Sequence, residues 1–65
     1  MPSEVRFAVV RRALEQHGYT LARVSGSHHV FAKAGSPIVV IPVHGNRVKP
    51  RYVAALEKQL GVRVC

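Results

Sequence analysis

The sequence contains no aspartate, and its three carboxylate side chains belong to Glu4, Glu15 and Glu57. If Glu4 and Glu15 share the first predicted helix, a rise of about 1.5 Å per residue separates them by about 16 Å. The paired carboxylates of glycosidases lie roughly 5–10 Å apart. Glycosidase chemistry, clustered-carboxylate metal sites and Ser-His-Asp triads are therefore excluded. Any catalysis must rest on histidine, lysine and arginine.

Cysteine is almost absent, because the sequence has a single one, Cys65. One cysteine excludes an intramolecular disulfide and fits a reducing compartment. Zinc needs at least three protein ligands, and neither aspartate nor a nearby cysteine supplements the histidines, so no metal is expected. No cofactor is expected either. The sequence also lacks a run of about 18 apolar residues and a signal-peptide core. These absences predict a cytoplasmic protein.

The chain has 65 residues, enough for one domain with a thin core and no internal cofactor pocket. Ten lysines and arginines against three glutamates give a formal net charge of +7. Hydrophobic residues make up 48% of the sequence, too many for a disordered basic tail. The basic surplus predicts a polyanionic partner, and we favour nucleic acid over a merely solubilising surface.

Two helices are predicted, one at each end of the chain. The first covers residues 4–17, with Ser3 as its N-cap and Gly18 just after its end. The second covers residues 50–60, with Pro50 in its first position and Gly61 at its exit. Each has an apolar stripe; the stripes comprise Phe7, Val10, Ala13 and Leu14 in the first helix, and Tyr52, Val53, Leu56 and Leu60 in the second.

Three strands are predicted between the helices, at 19–24, 28–34 and 37–43. Their connections are too short for parallel crossovers, so they form an antiparallel sheet. The fold class is α+β, with the order α-β-β-β-α, both helices on one sheet face and the other face open. Residues 62–64 form either a short extension or an added edge strand.

The segment Gly26-Ser27-His28-His29-Val30-Phe31 is the most informative stretch for function. Side chains alternate along a strand, so His28 faces the open side if Phe31 packs under the helices. His29 then shares the face of Phe31 and is partly buried. A lone strand histidine is more often structural than catalytic.

The register of the next strand decides whether a second histidine, His44, lies near His28. A three-residue loop at positions 35–37 pairs His28 with His44, whereas a two- or four-residue loop sends His44 to the opposite face. After His44, three cations occupy alternate positions at the approach to the second helix: Arg47, Lys49 and Arg51. The start of a helix favours phosphate binding, although such charges also serve solubility alone.

Over residues 6–61 the chain resembles the HicA-type toxins of bacterial toxin–antitoxin pairs, which are known as mRNA interferases. The resemblance is carried by Gly26-Ser27-His28-His29-Val30-Phe31 and Ile41-Pro42-Val43-His44, followed by the basic approach to the last helix. It implies a double-stranded-RNA-binding-like fold over a single domain, residues 1–65. It also implies endoribonuclease activity, a catalytic histidine at His28, mRNA as substrate and a HicB-like antitoxin as partner.

The implied reaction suits the composition, because the 2′-OH of RNA can attack the adjacent phosphate without a metal or cofactor. Imidazole, with an unperturbed pKa of about 6.5, transfers protons near neutral pH. His28 is the expected general base or acid, and His44 is its candidate partner. Arg47 and Lys49 are expected to stabilise charge. The other expected RNA contacts are Gly26, Ser27, Arg23, Lys33 and Arg51.

Two other functions remain open at this stage. The first is a non-catalytic RNA-binding module of the same fold, which holds phosphates through the same cations. The second is a small basic interaction protein whose open sheet face docks an acidic protein.

Overall fold

The computed structural model describes residues 4–64, which form two helices and two antiparallel sheets. The elements are β1 (Val5–Arg6), α1 (Phe7–Gln16), β2 (Thr20–Ser25), β3 (His28–Ala32), β4 (Val39–Pro42), β5 (Arg47–Val48) and α2 (Pro50–Leu60). Strands β2, β3 and β4 form one sheet in that order, and β1 pairs with β5 in the other. The predicted α-β-β-β-α order is confirmed, and the β1–β5 pair is an addition to it.

Helix α1 begins at Phe7, three residues later than predicted, because the preceding residues Val5–Arg6 are extended and pair with β5. Glu4 therefore lies before the helix and does not share it with Glu15. Arg6 occupies the N-cap position without a side-chain hydrogen bond. The predicted cap, Ser3, lies outside the described residues. At the other end the prediction is confirmed, since Gly18 has a φ of 87° just after the helix.

Helix α2 has the predicted bounds, with Pro50 at its start and Gly61 in the left-handed conformation at its end. Residues 62–64 form no strand. Instead, the backbone N–H of Val64 donates a hydrogen bond of 2.8 Å to Glu57 Oε2, and the Val64 side chain is buried in the core. The edge-strand alternative is therefore wrong, and Cys65 lies outside the described residues.

One hydrophobic core lies between the sheet and the two helices. Val10 and Leu14 of α1, Phe31 of β3 and Val48 of β5 are completely buried. The remaining buried members of the cluster are Ala13, Tyr19, Val39, Ile41, Val53, Leu56 and Val64. Since both helices contribute to this cluster, they cover the same face of the sheet, as predicted. Neither α1 nor α2 is long and apolar enough to cross a membrane.

Neither helix covers the opposite face of the sheet. Val30 lies on it at the centre of the sheet, between Arg23 of β2 and Val40 of β4. Val30 is buried but is not part of the core cluster, whereas Val40 is 43% exposed. The open face thus has an apolar centre. Arg23 lies on the same face, because the register places it opposite Val30.

Candidate functional site

Two tight turns meet at one end of the three-stranded sheet. Gly26 and Ser27 connect β2 to β3, and Gly45 and Asn46 connect the end of β4 to β5. The two connections are adjacent because β3 and β4 are antiparallel and the Val43 N–H donates a 2.7 Å hydrogen bond to the Ser27 carbonyl oxygen. This sheet end carries both histidines that the sequence marks as candidates for catalysis.

The register between β3 and β4 pairs His28 with Pro42. The alternative with a three-residue loop, which predicts that His28 pairs with His44, is therefore wrong. The connection is longer, because β3 ends at Ala32 and β4 begins at Val39. His44 lies two residues beyond the partner of His28. His44 itself lies beyond the β3–β4 ladder, in a bridge with Arg47.

The His28 side chain is exposed on the open face, and His44 is exposed at the adjoining turn. Within residues 4–64 neither imidazole ring has a hydrogen-bond partner. The backbone of His44 is fixed, because its N–H and C=O exchange two hydrogen bonds of 3.0 Å with Arg47. Both rings are therefore accessible to a ligand while their backbones are held in place.

His29 packs against its neighbours inside the fold and is partly buried, as predicted. Its ring lies 4.5 Å from the Phe7 ring, centroid to centroid, at an interplanar angle of 55°. Its Nδ1 atom is 3.3 Å from the backbone oxygen of Ser27, to which it can donate a hydrogen bond. His29 therefore joins the start of β3 to the start of α1, on the face opposite His28.

The Gly26-Ser27 turn needs glycine because of its backbone conformation, which has a positive φ angle at Gly26. Gly26 has a φ of 58°, which matches the first central position of a type II′ hairpin turn. A Cβ atom at Gly26 would meet nothing within 4 Å, so internal crowding does not require the glycine. The turn fixes the backbone from which His28 projects and leaves open space on its outer side.

The predicted RNA-contacting cations lie in three places. Arg47 in β5, Lys49 at the N-cap of α2 and Arg51 in its first turn follow directly after the His44 turn. Arg51 packs against Tyr52, with its guanidinium carbon 5.0 Å from the ring centroid and a 3.2 Å hydrogen bond from Nη2 to the tyrosine oxygen. All three cationic side chains are exposed.

Lys33 is separated from this group. It follows β3 at the far end of the sheet, and its ammonium lies 5.6 Å from the centroid of the Tyr19 ring. Its aliphatic chain runs beside Gly18 on the helix-covered side. The structure therefore brings Arg47, Lys49 and Arg51 to the histidine end, leaves Arg23 on the open face, and places Lys33 elsewhere.

Arg6 is a cation at the histidine end that the sequence does not reveal. It lies directly opposite Arg47 in the β1–β5 ladder. The sequence offers little signal for β1, because two residues show no hydrophobic alternation and a long helical pattern follows them. Among residues 4–64, no group of three or more histidine, cysteine, aspartate or glutamate side chains is placed to hold a metal ion.

Comparison with protein families matches the chain to the model of the HicA toxin of bacterial toxin–antitoxin systems over residues 8–62. The match covers most of the chain, including β2, β3, β4 and both turns at the histidine end. Comparisons with curated proteins and with solved structures gave no significant match.

Proposed function

The chain belongs to the HicA family of toxins from bacterial toxin–antitoxin pairs, and we propose that it is a metal-independent endoribonuclease that cleaves mRNA with His28. One observation carries the proposal. The imidazole of His28 is exposed, has no hydrogen-bond partner within residues 4–64, and projects from a β-strand beside a tight turn. A rigidly mounted, accessible imidazole suits proton transfer to and from a bound nucleotide.

In the proposed reaction, the 2′-OH of one nucleotide attacks the adjacent phosphate and the 5′ oxygen of the next nucleotide leaves. One imidazole takes the 2′ proton and another group protonates the departing oxygen. His28 performs one of these transfers, and His44 is the candidate for the other. Both histidines lie at the same end of the sheet, and the reaction places the cleaved phosphate between their rings.

The phosphate gains negative charge as the attack proceeds, and nearby cations stabilise that charge. Arg47 and Lys49 follow His44 closely in the chain and are exposed, so they suit this role. Arg23 and Arg51 would bind flanking parts of the RNA, and the RNA backbone would approach at Gly26 and Ser27, where the space beside Gly26 is open. Lys33, at the far end of the sheet, would contact RNA only outside the cleavage site.

As a member of this family, the chain is the toxin of a toxin–antitoxin pair and has an antitoxin partner. We further propose that the antitoxin is HicB-like. It would inhibit the toxin by covering the open sheet face, where the toxin's His28 side chain is exposed. The complex would form in the cytoplasm, where mRNA is accessible.

The direct test is RNA cleavage by purified protein in EDTA, comparing the wild type with His28→Ala. His17→Ala is the matched control, because His17 caps the far end of α1. We expect cleavage by the wild type and by His17→Ala, and a loss of about 10²–10⁴-fold in His28→Ala. If no variant cleaves RNA but all bind it, the chain is a binding module. Equal cleavage by all three would refute the role of His28.

A further inference from the structure

Two arginines face each other across the β1–β5 ladder at the histidine end. Arg6 and Arg47 are direct partners in the antiparallel register, and both are exposed. Like charges directly opposite one another destabilise a strand pair. Neither guanidinium has a carboxylate within salt-bridge distance among residues 4–64, where Arg11 and Glu15 form the ion pair. The pair therefore lacks an internal counter-charge in the described part of the chain.

The two arginines line an open groove of about 540 Å³. Phe7 and Arg11 of α1 form one wall, and Gly45 and Asn46 of the β4–β5 turn lie at the other side. Arg11 contributes less free charge than its neighbours, because its Nε donates a 3.1 Å hydrogen bond to Glu15. The groove is thus a concave surface whose uncompensated charge comes from Arg6 and Arg47.

The backbone around the groove is held in place before any ligand binds. The Phe7 N–H donates a 2.8 Å hydrogen bond to the Asn46 carbonyl oxygen. Next to the arginine pair, Val5 pairs with Val48, whose side chain is completely buried. Because the core fixes both strands, the two arginines stay opposite each other despite their repulsion. Such preorganisation favours binding of an anion between them.

The groove lies next to the candidate cleavage site. Its Gly45-Asn46 side follows His44 directly in the chain, and its Phe7 wall contacts the ring of His29, the neighbour of His28. A nucleic-acid strand bound at His28 would have to pass around this end of the sheet to reach the groove. Guanidinium groups bind phosphate oxygens through paired, charge-assisted hydrogen bonds.

We propose that Arg6 and Arg47 form a phosphodiester-binding groove, in which Arg47 lies on the side of the cleaved phosphate and Arg6 holds the next phosphate of the RNA strand. The identity of the ligand rests on the proposed RNA-cleaving function. The arginine pair and the groove are features of the structure and do not depend on that function. The groove extends the RNA contact from the open sheet face to the side of the molecule where α1 begins.

The test is binding of a fluorescent single-stranded 2′-O-methyl RNA, measured by anisotropy at several salt concentrations. This RNA keeps its phosphates but lacks the reactive 2′-OH, so binding is measured independently of cleavage. The variants are Arg6→Gln and Arg6→Glu. Arg12→Gln is the matched control, because Arg12 is an exposed arginine of α1 that does not line this groove.

We expect Arg6→Gln to weaken binding about tenfold at low salt, as for loss of one charge-assisted phosphate contact. The slope of log K against log salt should fall by about 0.7, the value for one phosphate on a single strand. Arg6→Glu should bind still more weakly yet melt at a higher temperature, since it replaces a repulsive pair with an attractive one. Arg12→Gln should keep the wild-type affinity within about twofold and the wild-type slope, because it removes charge without removing a groove contact.

Equal affinities and slopes for Arg6→Gln and Arg12→Gln would overturn the proposal. Unchanged RNA binding combined with weaker antitoxin binding in Arg6→Gln would assign the groove to the protein partner and would also overturn it. If the wild type cleaves no RNA but Arg6→Gln still lowers the salt slope, the cleavage proposal fails and the groove stands as a phosphate site. The two proposals therefore fail separately.

Discussion

His28 pairs with Pro42 across the β3–β4 ladder, and His44 lies two residues further along the chain. The two histidines are therefore offset by two positions and are not direct partners. A direct pair would bring the two rings side by side, whereas the proposed reaction needs a phosphate between them. In the proposed reaction, each ring contacts a different oxygen of the same phosphodiester.

If His44 performs the second proton transfer, His44→Ala should lower the cleavage rate by about 10²-fold or more. The affinity for a 2′-O-methyl RNA should stay within about threefold of wild type, since the change removes a proton-transfer group rather than a fixed charge. The double variant His28→Ala/His44→Ala should be little slower than His28→Ala alone, because residues that act as a unit are not additive. Single-turnover cleavage rates measure this, and full activity of His44→Ala would remove His44 from the mechanism.

The turn that carries His44 depends on positive φ angles at Gly45 and Asn46, which are 58° and 62°. Two successive residues of this kind form the type I′ turn that suits a two-residue hairpin. Gly45→Val should lower the free energy of unfolding by about 1–2 kcal/mol, because a β-branched residue strains this conformation. Gly45→Asn is the matched control and should cost only a few tenths, since asparagine adopts it readily.

Urea unfolding followed by circular dichroism distinguishes the two Gly45 variants. A Cβ atom at Gly45 meets nothing within 4 Å, so any difference between them reflects the backbone rather than packing. Equal unfolding midpoints for Gly45→Val and Gly45→Asn would contradict the turn assignment.

The short strand β5 should contribute to stability far beyond its length. Val48 is completely buried, whereas Val40 in β4 is 43% exposed. Val48→Ala should lower the free energy of unfolding by about 2 kcal/mol, through lost burial and the cavity left behind. The same substitution at Val40 should cost less than about 0.5 kcal/mol. Chemical denaturation of both variants measures the difference, and equal costs would mean that β5 does not anchor the core.

Binding of the antitoxin to the open face should have an electrostatic component, because the toxin has a formal net charge of +7. We expect the affinity to fall as the ionic strength rises from about 0.05 to 0.5 M, where charges on the surface are strongly screened. Arg23→Gln should reduce this salt dependence more than Arg12→Gln, because Arg23 lies on the open face. An affinity that does not change with salt would mean that the partner is not acidic over this surface.

The sequence predicts the parts of the fold that depend on local pattern. The apolar stripes of the two helices identify the buried residues Val10, Leu14, Val53 and Leu56 correctly. Glycine and proline mark the exits and starts of elements, as at Gly61 and Pro50. Alternation along β3 also predicts that His29 is partly buried while His28 is exposed. These features need no knowledge of distant contacts.

The features that the sequence does not predict depend on long-range pairing. Strand β1 exists because Val5 and Arg6 pair with residues more than forty positions away, and nothing local distinguishes them from a helical first turn. The β3–β4 register depends on how many residues the connecting loop takes, which its glycine and proline do not determine. The arginine groove follows from the β1–β5 pair, so it becomes visible only in three dimensions.

The ends of the reaction products test the proposed mechanism most directly. A long mRNA is digested with wild-type protein in EDTA, and the fragment ends are identified by mass spectrometry. Attack by the 2′-OH leaves a 2′,3′-cyclic phosphate, or the 3′-phosphate that forms from it, and a free 5′-OH on the next fragment. We expect these ends, and none in the His28→Ala digest. Fragments with 5′-phosphate and 3′-OH ends, or cleavage only when Mg²⁺ is restored, would contradict the mechanism.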